Sequence, residues 1–133
     1  MTSPLQKHIV LVDDDEAVRS VLRRGLVRAG YEVHEAGEGG AALKLLASAP
    51  ADLIITDLVM PEMEGIEFIM ALRKTHPKLP VIAISGGGRA VGSDNYLNIA
   101  RACGAVKLLA KPFETEQLLA AMQELLGPPP ATD

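Results

Sequence analysis

Residues 8–30 read HIVLVDDDEAVRSVLRRGLVRAG, and their order decides the fold. A short β-like run, His8–Val12, passes through Asp13, Asp14 and Asp15 into a segment of helical period. Within Glu16–Ala29, the apolar residues Val18, Val21, Leu22 and Leu26 fall on one helix face. Gly30 stands where a helix C-cap belongs, and Asp15 lies in the N-cap region. A strand apolar on both sides, followed at once by a helix, is one unit of a parallel sheet.

The unit recurs along the chain. Tyr31–Ala36 alternates as a second strand, and Gly40–Ser48 is a short Ala/Leu-rich helix stopped by Pro50. Asp52–Thr56 is a continuous apolar strand, and Gly65–Lys74 is helical. Pro80–Ile84 is a fourth strand, and Tyr96, Ile99, Ala100 and Cys103 share a helical face. Val106–Ala110 is the fifth strand, and Leu118, Met122, Leu125 and Leu126 mark the last helix. Five such units predict an α/β fold, a flavodoxin-like (βα)5 doubly wound sandwich with a parallel sheet of order 2-1-3-4-5. In that topology chemistry collects at the C-terminal ends of strands 1, 3, 4 and 5.

The length, 133 residues, suits one domain. Residues 7–126 are expected to form it, with residues 1–6 an N-terminal extension and the Pro-rich GPPPATD, 127–133, a tail or linker stub. A single cysteine, Cys103, excludes an internal disulfide framework and suits a reducing, cytoplasmic setting. It shares the apolar face of its helix and reads as core. Met1–Lys7 has no apolar h-region, so no secretory signal is expected, and no apolar run has the length of a membrane span. A net charge of −4, 3% aromatics and no Trp argue against direct nucleic-acid binding. His8, His34 and His76 show no ligand spacing and read as structural or surface residues.

The strand ends are polar. The first runs into Asp13-Asp14-Asp15, the third into Asp57, the fourth into Ser85 and Gly86-Gly87-Gly88, the fifth into Lys111-Pro112. Carboxylates about 4 Å apart repel by roughly 4 kcal/mol per pair at an effective dielectric near 20. A cation or shared proton must offset that. Hard oxygen donors with room for water suit Mg²⁺. A metal, an incoming phosphoryl group and Lys111 would balance the charge, with the Ser85 hydroxyl on another phosphoryl oxygen. The pattern describes phosphoryl transfer to a carboxylate, and Asp57, on the central strand, is the candidate nucleophile.

Four segments resemble the receiver domains of two-component response regulators: VDDDEAVR (12–19), TDLVMPEMEG (56–65), AISGGG (83–88) and AKPF (110–113). The resemblance covers about residues 7–126. It implies that Asp57 accepts a phosphoryl group from a sensor histidine kinase or a histidine phosphotransfer protein, with Mg²⁺ or Mn²⁺ as cofactor. Asp14 would ligate the metal directly, Asp13 through water, and Val59 through its backbone carbonyl. Asp57 would also ligate it. Ser85 and Lys111 would hold the phosphoryl group, Pro112 matches a cis-proline, and Pro61 and Gly65 match the loop after the acceptor. Val59 and Gly87 occupy positions that tune hydrolysis of the acyl phosphate. The resemblance makes the domain a signalling element rather than an enzyme. Its implied partners include a downstream target or an effector domain absent from this chain. A homodimer could use the face made by the Tyr96–Cys103 helix, the fifth strand and the last helix.

Two positions depart from the pattern. Leu108 stands three residues before Lys111, where the family often carries an aromatic switch residue, and it has no hydroxyl to swing. The glycine-rich stretch 86–93, GGGRAVGS, is longer than usual, so Gly86 and Gly87 are expected to carry the switch. The rival readings are a receiver-like interaction module working without phosphorylation, a dehalogenase-type phosphohydrolase and a flavin-binding domain. Val59 stands where the second needs an Asp, and the acidic first loop would repel the phosphate of the third.

Overall fold

The computed structural model describes residues 6–57, 65–85, 107–110 and 113–127. Their order is β1 (His8–Val12), α1 (Glu16–Arg28), β2 (Glu32–Ala36), α2 (Gly39–Ser48), β3 (Leu53–Asp57), α3 (Gly65–Thr75), β4 (Val81–Ser85), β5 (Lys107–Ala110) and a helix over Thr115–Leu126. The five strands form one sheet of order β2-β1-β3-β4-β5, and every neighbouring pair is parallel. This is the predicted flavodoxin-like architecture. The helix read around Tyr96–Cys103 lies outside the described residues, as do residues 1–5 and the tail from 128.

Period-two alternation sorts the sheet into two cores. Val10, Val12, Ala36, Ile54, Val81 and Ala83 pack with Ala42 and Leu46 of α2 and with Phe68, Ile69 and Leu72 of α3. Ile9, Leu11, Leu53, Ile55, Ile82 and Ile84 pack with Leu22 and Leu26 of α1 and with Leu118 and Met122 of the Thr115–Leu126 helix. The central strands are therefore aliphatic throughout, which is why they read as unbroken runs.

Local chemistry fixes the helix ends. The Asp15 carboxylate accepts from the backbone N–H groups of Ala17 and Val18, at 2.9 and 3.2 Å, capping α1. Gly30 follows the helix with φ +104°, a left-handed conformation that glycine adopts without strain. Strand limits shift by one residue from the sequence reading. Asp57 and Ser85 become the last residues of β3 and β4, because each still has a Cα partner on the neighbouring strand, Ile84 and Ala110.

One expectation needs correction, and one juxtaposition was not visible in the sequence. Val21 is 64% exposed and lies off the core face of α1, whose buried row is Leu22 and Leu26. The helix is turned toward Gly25, where a Cβ would stand 2.9 Å from Thr115 Cγ2 of the neighbouring helix. A glycine at that crossing allows close approach, and the approach sets the rotation of α1. The second concerns His8 and His34. They have no ligand spacing in sequence, yet the β1–β2 register pairs His8 with Glu32 and Val10 with His34, so all three polar side chains meet on one face.

Tyr31 is 1% exposed, and its hydroxyl finds no hydrogen-bond partner among the described residues. Burial pushes the phenol above its ordinary value of 10.0. In alkali the unfolded chain ionises this group before the folded chain does, so its share of stability is lost as pH rises through the raised value. Tyr31→Phe is expected to stabilise the domain by about 1 kcal/mol near neutral pH and to flatten the alkaline loss. Urea denaturation at neutral pH and above about pH 10 checks this; a less stable Phe variant would contradict it.

Candidate functional site

The site is built by strand register. Val12 of β1 pairs with Thr56 of β3, so the next residues, Asp13 and Asp57, begin side by side at one sheet end. Neighbouring strands lie about 4.8 Å apart, which sets the scale of the cluster. Carboxylate oxygens of Asp13, Asp14 and Asp57 lie within 4.8 Å of one another. Asp13 is 1% exposed and Asp57 7%, whereas Asp14 is exposed and opens the group to water.

The loop between β1 and α1 is held from several sides. The Asp13 N–H donates to the Ala36 carbonyl at 3.1 Å, continuing the β1–β2 ladder by one step. Asp13 Oδ1 accepts from the Asp15 N–H at 2.9 Å, so one carboxylate both faces the cluster and sets the turn. Arg19 Nη1 donates to the Asp13 carbonyl at 2.7 Å. The same guanidinium, through Nε, meets Glu35 Oε1 at 3.3 Å, and Arg23 Nε reaches Glu35 Oε2 at 3.3 Å. Glu35 of β2 thereby aims Arg19 of α1 at the backbone that carries the acids.

The remaining strand ends fall at the same level. Ser85 closes β4, one residue beyond the partner of Asp57, and pairs with Ala110, the last residue of β5 and the one before Lys111. Leu108 lies in β5, paired with Ala83. Lys111, Pro112, Val59, Pro61, Gly86 and Gly87, with the rest of the 86–93 stretch, lie outside the described residues. The structure thus brings Asp13, Asp14 and Asp57 together and carries the backbone of Ser85 to the same edge.

The donor set fits a hard divalent cation: three carboxylates, two of them buried, with one side open to water. Bringing three negative charges this close is costly unless something cationic shares the site.

The family profile described as the response regulator receiver domain matches residues 9–123. The chain belongs to that family. This receiver is 40% identical over 122 residues to the response regulator MprA of Mycolicibacterium vanbaalenii, covering 89% of this chain and 49% of that protein. MprA of Mycobacterium ulcerans is 39% identical over the same length and the same shares. The chain therefore spans about half the length of the curated relatives it matches. Among solved structures, the chemotaxis protein CheY4 of Vibrio cholerae superposes with a TM-score of 0.82 at 32% identity, covering 90% of this chain and 98% of that one. A receiver domain protein from Methanospirillum hungatei gives 0.83 at 28%, covering 91% and 94%. Receiver domains are signalling domains of phosphorylation-based two-component systems, and the fold and family of this chain agree with that.

The sequence reading of the receiver missed Arg19 as a positioning residue. A signal was present: Arg19 lies one helical turn after the acids, and Glu35 lies near the end of an edge strand that must pass nearby. Arg19→Met keeps the aliphatic stem and removes the guanidinium. It is expected to cost about 1.5–3 kcal/mol, the range for a lost hydrogen bond from a charged donor, in urea denaturation. A cost within experimental scatter would show that the loop needs no such clamp.

Proposed function

We propose that this receiver accepts a phosphoryl group on Asp57 in a reaction that depends on Mg²⁺ or Mn²⁺, and that Asp13 and Asp14 share the metal with it. The observation that carries the proposal is the meeting of Asp13, Asp14 and Asp57 at the end of the central strands. Asp57 is the acceptor because it alone of the three belongs to β3, in the middle of the sheet and level with β4. Its carboxylate oxygen attacks phosphorus, the bond to the donor's imidazole nitrogen breaks, and the imidazole leaves with a proton.

The bound cation would screen the acids and draw charge from the phosphoryl oxygens. Asp14, exposed, would be the direct ligand, Asp13 would act through water, and the Val59 carbonyl would complete the protein's share. The buried walls around Asp13 and Asp57 limit water and strengthen each electrostatic contact. Ser85, at the end of β4, would donate its hydroxyl to one phosphoryl oxygen, and Lys111, next after β5, would meet another. The proposed donor is a sensor histidine kinase or a histidine phosphotransfer protein. The proposed recipient of the signal is a downstream protein or an effector domain. Leu108, Gly86 and Gly87 would carry the change outward, toward the face suggested for a homodimer. The domain catalyses only its own phosphorylation and the hydrolysis that resets it. No described residue favours a module that works without phosphorylation, for which three clustered carboxylates would be a cost with no use.

Incubation with a small-molecule phosphodonor and Mg²⁺ is expected to add the mass of one phosphoryl group to the native protein and none to Asp57→Asn. Identical mass spectra would reject the proposal. Without phosphodonor, millimolar Mg²⁺ is expected to raise the melting temperature of the native protein, since a ligand that binds only the folded state stabilises it by mass action. Asp14→Asn should lose most of that gain. An undiminished gain would place the cation elsewhere.

A further inference from the structure

We infer that His8, Glu32 and His34 form a second metal site, for a borderline divalent ion of the Zn²⁺ class, at the opposite end of β1 from the acids. His8 Nδ1 and His34 Nε2 are 3.3 Å apart. Glu32 Oε2 is 3.0 Å from the first and 3.2 Å from the second. The three donors therefore form a nearly equilateral triangle. With metal–ligand bonds of about 2.0–2.1 Å and tetrahedral angles, three ligands of one Zn²⁺ stand about 3.3 Å apart. The observed edges match that spacing without any backbone movement. The imidazoles are parallel within 5°, with centroids 5.6 Å apart. Histidine χ2 is a broad torsion, so either ring can turn to aim its lone pair at the common point.

The donor chemistry selects the ion. Two imidazoles and one carboxylate are the ligands of many three-residue zinc sites, which leave a fourth position open. Mg²⁺ favours all-oxygen shells, so it prefers the acids and not this triangle. All three residues are half-buried, which leaves that fourth position room for water. The backbone prepares the site: the His8 N–H donates to Asp52 Oδ2 at 2.8 Å, fixing the start of β1. His8 opens β1 and Asp13 follows its end, about 16 Å on at 3.3 Å per residue, while His34, opposite Val10, stands about 10 Å from the level of Asp13. Each can fill without the other.

The placement also says what the ion would do. Among the described residues, β2 is an edge strand, paired only with β1. Glu32 and His34 come from β2 and His8 from β1, so an ion here clips the edge strand to the centre of the sheet. The unfolded chain lacks that arrangement, and binding then stabilises the fold.

The test uses untagged, metal-free protein in excess Mg²⁺, titrated with Zn²⁺ by calorimetry and with Co²⁺ by visible absorption. The expected result is one equivalent of Zn²⁺ bound, a raised melting temperature and Co²⁺ bands of a nitrogen/oxygen site, in native protein and equally in Asp57→Asn. His34→Gln and Glu32→Gln, both on the edge strand, should each weaken Zn²⁺ at least tenfold while their metal-free melts stay cooperative. His76→Gln should bind as the native protein does. The inference is overturned by absence of Zn²⁺ uptake, by undiminished binding in His34→Gln, or by loss of binding in Asp57→Asn. None of these outcomes bears on phosphorylation of Asp57, so the two readings fail separately.

Discussion

The pairing of β1 with β3 is the constraint on which the acidic site depends. Val12 opposite Thr56 places Asp13 beside Asp57, and no side-chain contact between the acids could hold them there against their own repulsion. The register is held from below. Ile9 and Leu11 face one core, Val10 and Val12 the other, and all four are buried. A slip by one residue would exchange the two faces and bring every apolar side chain against the wrong set of helices. Aliphatic packing thus fixes the position of charges that would otherwise separate.

That arrangement explains why the acids differ in exposure although two of them are adjacent in sequence. Asp13 continues the β1–β2 ladder through its N–H to Ala36 and is buried by it. Asp14 falls where the chain leaves the sheet, and Asp15 turns back to cap α1. Three consecutive residues of one type take three roles: buried cluster member, exposed member and helix cap. The backbone path assigns the roles. Arg19 then fixes the path by holding the Asp13 carbonyl, and Glu35 fixes Arg19.

Fold and site were legible in the sequence to different depths. Strand type and sheet order followed from short aliphatic runs such as Ile9–Val12 and Leu53–Ile55, because burial on both faces leaves an unmistakable composition. Asp13, Asp14 and Asp57 were legible because topology alone brings strand ends together. The rotation of α1 was not, since it turns on Gly25 meeting Thr115, a contact across ninety residues of chain that no local period encodes. The triangle of His8, Glu32 and His34 was hidden for a related reason. Ligand spacing is sought within a segment, whereas these residues come together through the register of two strands separated by a helix.

β1 carries a cluster at each end, and the chemistry of the two differs as their surroundings do. One is all carboxylate, partly buried and level with the mouth of the sheet; the other is imidazole and carboxylate, half-buried at the sheet's edge. Coupling between them would need an element with two arrangements that both could bias. The strand that joins them offers none: Ile9–Val12 is packed on both faces and hydrogen-bonded on both sides. The two clusters share no donor residue, although β2 carries both His34 and the Glu35 and Ala36 that hold Arg19 and the Asp13 N–H. The end of β1 that carries His8 can therefore set how firmly the edge strand is held, without altering the charge balance at Asp57.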